Sequence, residues 1–140
     1  MRYWDSSALT PLLLEEPASP GINRLIAEDS AIVSWWGTSI ECFSALWRRR
    51  REGFLTEANF EAVRQTFDSV FAEIDLVSPS NELRDRAMRL LSLHPLRTGD
   101  ALQLAAALRW IQEKSRGAGF VTLDARLRTA ALAEGFSVFP

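Results

Sequence analysis

Cysteine and histidine are almost missing from this sequence, with one of each among 140 residues. One cysteine excludes an intrachain disulfide scaffold and a self-contained zinc knuckle, and one histidine leaves few nitrogen ligands for a transition metal. Excess charge of either sign is missing as well, since 16 Lys and Arg stand against 18 Asp and Glu for a net charge of −2. The molecule as a whole neither attracts nor repels a polyanion, so nucleic-acid contact requires a local basic patch or a bound cation. The longest apolar run, Ala101 to Ile111, is interrupted by Gln103 and Arg109 and is too short to cross a bilayer. No signal-like apolar tract follows Met1-Arg2-Tyr3-Trp4-Asp5, so a cytoplasmic protein without a membrane partner is expected. Repeats, low-complexity tracts and long linkers are also lacking, which predicts one domain over residues 1–140.

What is present suffices for a core: 47% of the residues are hydrophobic, including five Trp and eight Phe. Short β-like runs alternate with helical patterns. Arg2-Tyr3-Trp4, Ala31 to Trp35, Ile74 to Val77, Gly119 to Leu123 and Phe136 to Phe139 read as strands. Between them, helical spacing is expected through Leu12, Leu13 and Leu14 and through Ile22, Leu25 and Ile26. Phe43, Leu46 and Trp47 follow a capping-box spacing at Thr38-Ser39-Ile40-Glu41. Gly53 ends that helix and Thr56 caps the next, whose Phe60, Val63, Phe67, Val70, Phe71 and Ile74 form one stripe. Leu83, Ala87, Leu90 and Leu91 are expected to face inward from a helix opened by Ser80 or Asn81, and Thr98 to Ile111 to be buried on more than one side. Strands separated by helices predict an α/β fold with a mainly parallel central sheet flanked by helices.

Four carboxylates, Asp5, Glu41, Asp100 and Asp124, fall at strand ends or helix starts. In parallel α/β sheets ligands bind beyond the carboxyl ends of the strands, so these positions can converge there. Hard oxygen ligands of this kind suit Mg²⁺ or Mn²⁺. Each also has a local alternative: Glu41 as partner in the Thr38 capping box, Asp124 as N-cap of the following helix, Asp100 as a first-turn charge, Asp5 as part of a cap with Ser6 or Ser7. Ser6, Thr98 and Thr122 are candidate neighbours of the carboxylates or of substrate, with capping or strand propensity as the alternatives. The run Arg48-Arg49-Arg50-Arg51 offers guanidinium groups for phosphate, through Arg49 among others, or forms a solvated helix end; Arg97 lies closer to Asp100. Cys42 and His94 read as a core residue and a loop residue. Trp35-Trp36 and the Phe43/Trp47 face suit a core, an assembly surface or base stacking.

In motif order the sequence resembles the PIN-domain ribonucleases of toxin-antitoxin pairs, the VapC-like group. Tyr3-Trp4-Asp5-Ser6-Ser7-Ala8-Leu9 matches the first acidic motif and Thr38-Ser39-Ile40-Glu41 the second. Leu96-Arg97-Thr98-Gly99-Asp100-Ala101-Leu102-Gln103-Leu104-Ala105-Ala106-Ala107 matches the third. Phe120-Val121-Thr122-Leu123-Asp124-Ala125-Arg126-Leu127, continued through Ala130-Ala131 to Gly135, matches the fourth. The resemblance spans residues 2 to 139 and departs at Gln103, where members of the group often have His. It implies a metal-dependent endoribonuclease with Mg²⁺ or Mn²⁺ held mainly by Asp5, Asp100 and Asp124, and Glu41 completing the site as ligand or in the outer shell. It further implies RNA products ending in 5′-phosphate and 3′-hydroxyl, a homodimer, a cognate antitoxin, and DNA contact only indirectly through that antitoxin. Two other readings are a catalytically silent α/β interaction module with exposed aromatic faces, and a PIN-type nuclease outside toxin-antitoxin biology.

Overall fold

Strands of three or four residues cannot hold a sheet alone, and here helices cover both faces. In the computed structural model, which describes residues 1–112 and 116–140, the strands are β1 (Arg2–Trp4), β2 (Ile32–Trp35), β3 (Asp75–Val77), β4 (Gly119–Val121) and β5 (Ser137–Phe139). They pair in the order β3-β2-β1-β4-β5, all parallel. Parallel neighbours need long crossovers. These are α1 (Ser6–Leu13) and α2 (Ser19–Glu28) after β1, and α3 (Thr38–Arg51) and α4 (Glu57–Ala72) after β2. The crossover after β3 carries α5 (Asn81–Leu93) and α6 (Thr98–Trp110), and the one after β4 carries α7 (Ala125–Ala133). The parallel sheet flanked by helices that the alternation predicts is the one observed.

Side-chain alternation along each strand divides the core into two layers. Tyr3, Val33, Trp35 and Phe120 face Leu83, Leu90, Leu104 and Leu127 of α5, α6 and α7. Trp4 and Val121 face the other way, against Leu9, Ile22 and Leu46 of α1, α2 and α3. Helix α6 is buried at Ala101 and at every position from Gln103 to Leu108, as its apolar sequence predicts. Among the described residues, no helix is long and apolar enough to cross a membrane.

Local stops and starts follow their expected chemistry. Gly53, at φ +81°, ends α3 in a conformation that glycine adopts without a Cβ penalty, and the Thr56 hydroxyl accepts from the Asn59 amide at 3.2 Å. The α4 stripe is found as expected, with Phe60, Val63, Phe67, Val70 and Phe71 half-buried against the core cluster to which Ile74 belongs, although no residue of α4 itself is fully buried. Two expectations are corrected. Leu91 is 42% exposed, because Leu83, Ala87 and Leu90 already form the inward line of α5 and Leu91 lies a further 100° or so around it. Thr38 does not cap α3, whose N-cap is Gly37, because the Thr38 hydroxyl contacts Ser34 and Gln103 instead.

The chain moves from β1 through β2 to β3 on one side, then returns to place β4 and β5 on the other. That reversal opens a crevice at the carboxyl ends of β1 and β4, where ligands bind in open α/β sheets. The turn leading into α3 is tightly confined, since a Cβ on Gly37 would lie 2.4 Å from the indole nitrogen of buried Trp35. Gly37→Ala is therefore expected to destabilise the fold by about 1–3 kcal/mol through overpacking. Urea unfolding at neutral pH measures this, and an unchanged midpoint contradicts it.

Candidate active site

Asp5 is the residue immediately after β1, at the crevice. Its amide donates to the Val121 carbonyl at 3.2 Å, extending the β1–β4 pairing. Its side chain caps α1, with Oδ1 accepting from the Ala8 amide at 3.1 Å and from Ser7 Oγ at 2.8 Å. Thr122 Oγ1 donates to Oδ2 at 3.0 Å. The carboxyl group is only 3% exposed. Burial pushes its pKa up to about 7, opposed by the hydrogen bonds from Ser7, Ala8 and Thr122 and reinforced by the charge of Glu41. Among the described residues, no Lys, Arg or His side chain pairs with Asp5, Glu41, Asp100 or Asp124.

Thr122 extends the network to Asp124, whose amide donates to Thr122 Oγ1 at 3.1 Å. Asp124 is also the expected N-cap of α7, with Oδ1 accepting from the Arg126 and Leu127 amides at 2.8 and 2.9 Å. On the other side of Asp5, Ser6 donates to Glu41 Oε2. Glu41 is in the first turn of α3 and receives a second bond on Oε2, from Gln103 Nε2 at 3.2 Å. Its Oε1 faces Gly99 in the first turn of α6, where a Cβ would lie 3.7 Å away. Asp100, one residue on, accepts the Arg97 amide on Oδ2 at 3.2 Å.

Glu41, Asp100 and Asp124 thus each commit one oxygen to the protein and leave the other without a protein donor among the described residues. Free carboxylate oxygens, and a buried carboxyl group without a cationic partner among the described residues, match the donor set of a hard divalent cation. The tighter expectation, three carboxylates already within shared reach of an ion, is not met: no group of three His, Cys, Asp or Glu that could hold a metal occurs among the described residues. Asp100 and Asp124 each have a carboxylate oxygen engaged by backbone amides at the start of their own helices.

Other candidates are spread more widely. Arg97 is the exposed residue preceding α6 and Thr98 its exposed first residue. Arg49 is eight positions beyond Glu41 on α3, about 12 Å along the helix. Its guanidinium pairs with Glu16 at 3.1 Å and lies 5.4 Å from the Phe54 ring centre. Cys42 is a core thiol, as expected, with burial pushing its pKa up to about 12. His94 does more than occupy a linker, since its Nε2 contacts Glu134 Oε1 at 2.8 Å. Sequence reasoning named Ser7 only as a possible cap beside Asp5, and it missed the Tyr3 hydroxyl, which meets Gln103 Oε1 at 2.8 Å across 100 residues.

No protein-family model matches the sequence. The chain is 32% identical over 136 residues to ribonuclease VapC46 of Mycobacterium tuberculosis (strain ATCC 25618 / H37Rv), an alignment covering 97% of this chain and 94% of that protein. Its fold is similar to the crystal structure of PAE2754 from Pyrobaculum aerophilum, with a TM-score of 0.67, 22% identity, and coverage of 99% of this chain and 89% of that one. It is also similar to a toxin-antitoxin complex from Klebsiella pneumoniae, with a TM-score of 0.59, 13% identity, and coverage of 90% and 88%. At these identities the two structures speak to fold alone.

The environment of Asp5 sets a pH dependence. Its folded pKa, about 7, lies above the unfolded value of 3.8, so between these limits the native state holds a proton that the unfolded state has lost. Stability from this group is fully present below about pH 4 and falls as pH rises through that window, by about 4 kcal/mol in all. In metal-free buffer, Asp5→Asn is expected to melt near the native protein at pH 4 and above it at pH 8. Melting curves across that range test this, and a variant less stable at pH 8 refutes it.

Proposed function

The chain belongs to the VapC-type toxins with a PIN-domain-like fold, and from that premise we propose that it is a metal-dependent endoribonuclease, the toxin of a type II toxin-antitoxin pair, working as one domain over residues 1–140. The observation that carries the reading is the buried Asp5 carboxyl group, without a cationic partner among the described residues, at the carboxyl end of a parallel sheet, together with three carboxylates at helix starts that each keep an oxygen without a protein donor among the described residues. Asp5, Asp100 and Asp124 are the proposed holders of Mg²⁺ or Mn²⁺, with Glu41 as a further ligand or an orienting base for water. When bound, such a cation supplies charge neutralisation at the scissile phosphate and activation of the attacking water.

The remaining residues position these groups. Ser7, Thr122 and the Ala8 amide fix the orientation of Asp5, and Ser6 holds one oxygen of Glu41. Arg97 and Thr98, exposed at the start of α6, are the proposed contacts to RNA phosphate. Arg49, engaged with Glu16 and Phe54, contributes to RNA binding only weakly in this reading.

An antitoxin is proposed to cover the aromatic surface of α3 and α4, and DNA is contacted only through it. Trp36 is 50%, Ile40 60% and Trp47 42% exposed, and a cleft of about 290 Å³ lies among Ile40, Phe43, Arg64 and Phe67. Trp35, by contrast, is core at 7% exposure. A homodimer and a cytoplasmic location complete the proposal.

Asp5→Asn or Asp100→Asn is expected to lower single-turnover RNA cleavage at least about 100-fold while the protein stays folded. Arg97→Ala should weaken RNA binding and flatten its salt dependence by about one unit of slope, with Arg49→Ala having the smaller effect. Sequencing of product ends from total RNA tests the reaction class. Near-native rates in both aspartate variants defeat the mechanism.

Binding of the cognate antitoxin should slow amide exchange or reduce labelling at Ile40, Phe43 and Trp47. A complex that leaves all three unprotected removes the assigned surface.

A further inference from the structure

Gln103 is a long polar side chain only 2% exposed, in the most buried helix of the molecule, and its amide bonds are all to residues around the acidic group. Nε2 donates to Thr38 Oγ1 at 2.9 Å and to Glu41 Oε2 at 3.2 Å, while Oε1 accepts from the Tyr3 hydroxyl at 2.8 Å. The amide can take only one orientation. Glu41 Oε2 accepts from Ser6 and from the amide, so the NH₂ group faces it, and Oε1 then faces Tyr3, which must donate. Both amide hydrogens are committed, one to each α3 residue.

We propose that Gln103 is a positioning residue: it bridges α6 to α3, holds Glu41 Oε2 together with Ser6, and so leaves Glu41 Oε1 as its single free oxygen, facing Gly99 at the start of α6. The proposal rests on the nuclease reading for its purpose and on the hydrogen bonds for its geometry. Buried amides need partners, which gives the arrangement a structural value regardless. A positioning role adds something stability does not require, namely that one oxygen of Glu41 is occupied and the other is not. Imidazole at this position would offer one N–H in the direction of α3 and could not hold Thr38 and Glu41 from the same atom. Ligand-orienting hydrogen bonds of this kind typically contribute 10- to 100-fold, roughly, to metal affinity or activity.

The test measures Mn²⁺ binding to the RNA-free full chain by electron paramagnetic resonance, alongside single-turnover RNA cleavage and thermal melting. Gln103→Met keeps length and removes the hydrogen bonds; Tyr3→Phe keeps the core ring and releases only the amide orientation, so it serves where Gln103→Met does not fold. Both are expected to weaken Mn²⁺ binding, about tenfold or more for Gln103→Met and less for Tyr3→Phe, with Gln103→His intermediate. In a Glu41→Gln background the same changes should have no further effect on Mn²⁺ affinity, because they act through Glu41. Native Mn²⁺ affinity in the folded variants, or losses that add in full to that of Glu41→Gln, would overturn the proposal even where melting temperatures fall. A native chain that binds no Mn²⁺ overturns it too. Mn²⁺ binding without any RNA cleavage defeats the nuclease reading alone and leaves the positioning proposal to be judged by the binding data.

Discussion

A carboxyl group buried at the end of β1 is the constraint on which the site depends. Asp5 follows Tyr3 and Trp4, whose side chains enter opposite cores, so it cannot leave the end of the sheet without disturbing both layers. Burial there disfavours its charged form, and the compensation comes from hydroxyl and amide donors, not from a cationic side chain. Such donors stabilise the carboxylate only in part. The remaining cost is what a divalent cation can relieve, which makes proton and metal competitors for the same oxygens.

Helix ends lead to a similar balance. Asp5 and Asp124 are the N-caps of α1 and α7, and Glu41 and Asp100 lie in the first turns of α3 and α6. A helix N-terminus carries roughly half a positive charge, so four such ends offset about half of four carboxylates. Capping and metal binding are therefore not rival uses of these residues: for Asp100 and Asp124 one oxygen caps and the other is free.

The position of these acids at element ends explains what was legible in the sequence. The strands and their parallel order could be read because apolar runs alternated with helical spacing, and the four acids because each fell where a strand ends or a helix begins. Periodicity shows which side of a helix is apolar but not how deep the helix lies, so the α4 stripe could be read while its place as an outer, half-buried layer could not. Thr38 and Glu41 had the spacing of a capping box, and local spacing could not reveal that Gln103, 65 and 62 residues away, takes both. The structure brings Ser6 to Glu41 and Thr122 to Asp5, while Arg49 belongs to a separate contact with Glu16, a distinction that composition cannot make.

The two layers of the fold meet at this site in a particular way. Apolar packing holds α3 to one face of the sheet and α6 to the other, but the hydrophobic effect is non-directional and leaves small shifts inexpensive. Glu41 comes from the first layer and Asp100 from the second. Their relative placement therefore depends on directional bonds that cross the end of the sheet. Gln103 to Thr38 and Glu41 is such a crossing, with Tyr3 of β1 anchoring the amide from beneath. Ser34 Oγ, bonded to the Trp4 carbonyl at 2.6 Å and 2.8 Å from Thr38 Oγ1, ties the same junction to the central strands. Buried polar bonds are costly when incomplete, so a shift of α3 against α6 that breaks one leaves several groups without partners. The polar junction thus supplies the geometric restraint that packing alone lacks, at the place where the proposed site draws carboxylate oxygens from both layers.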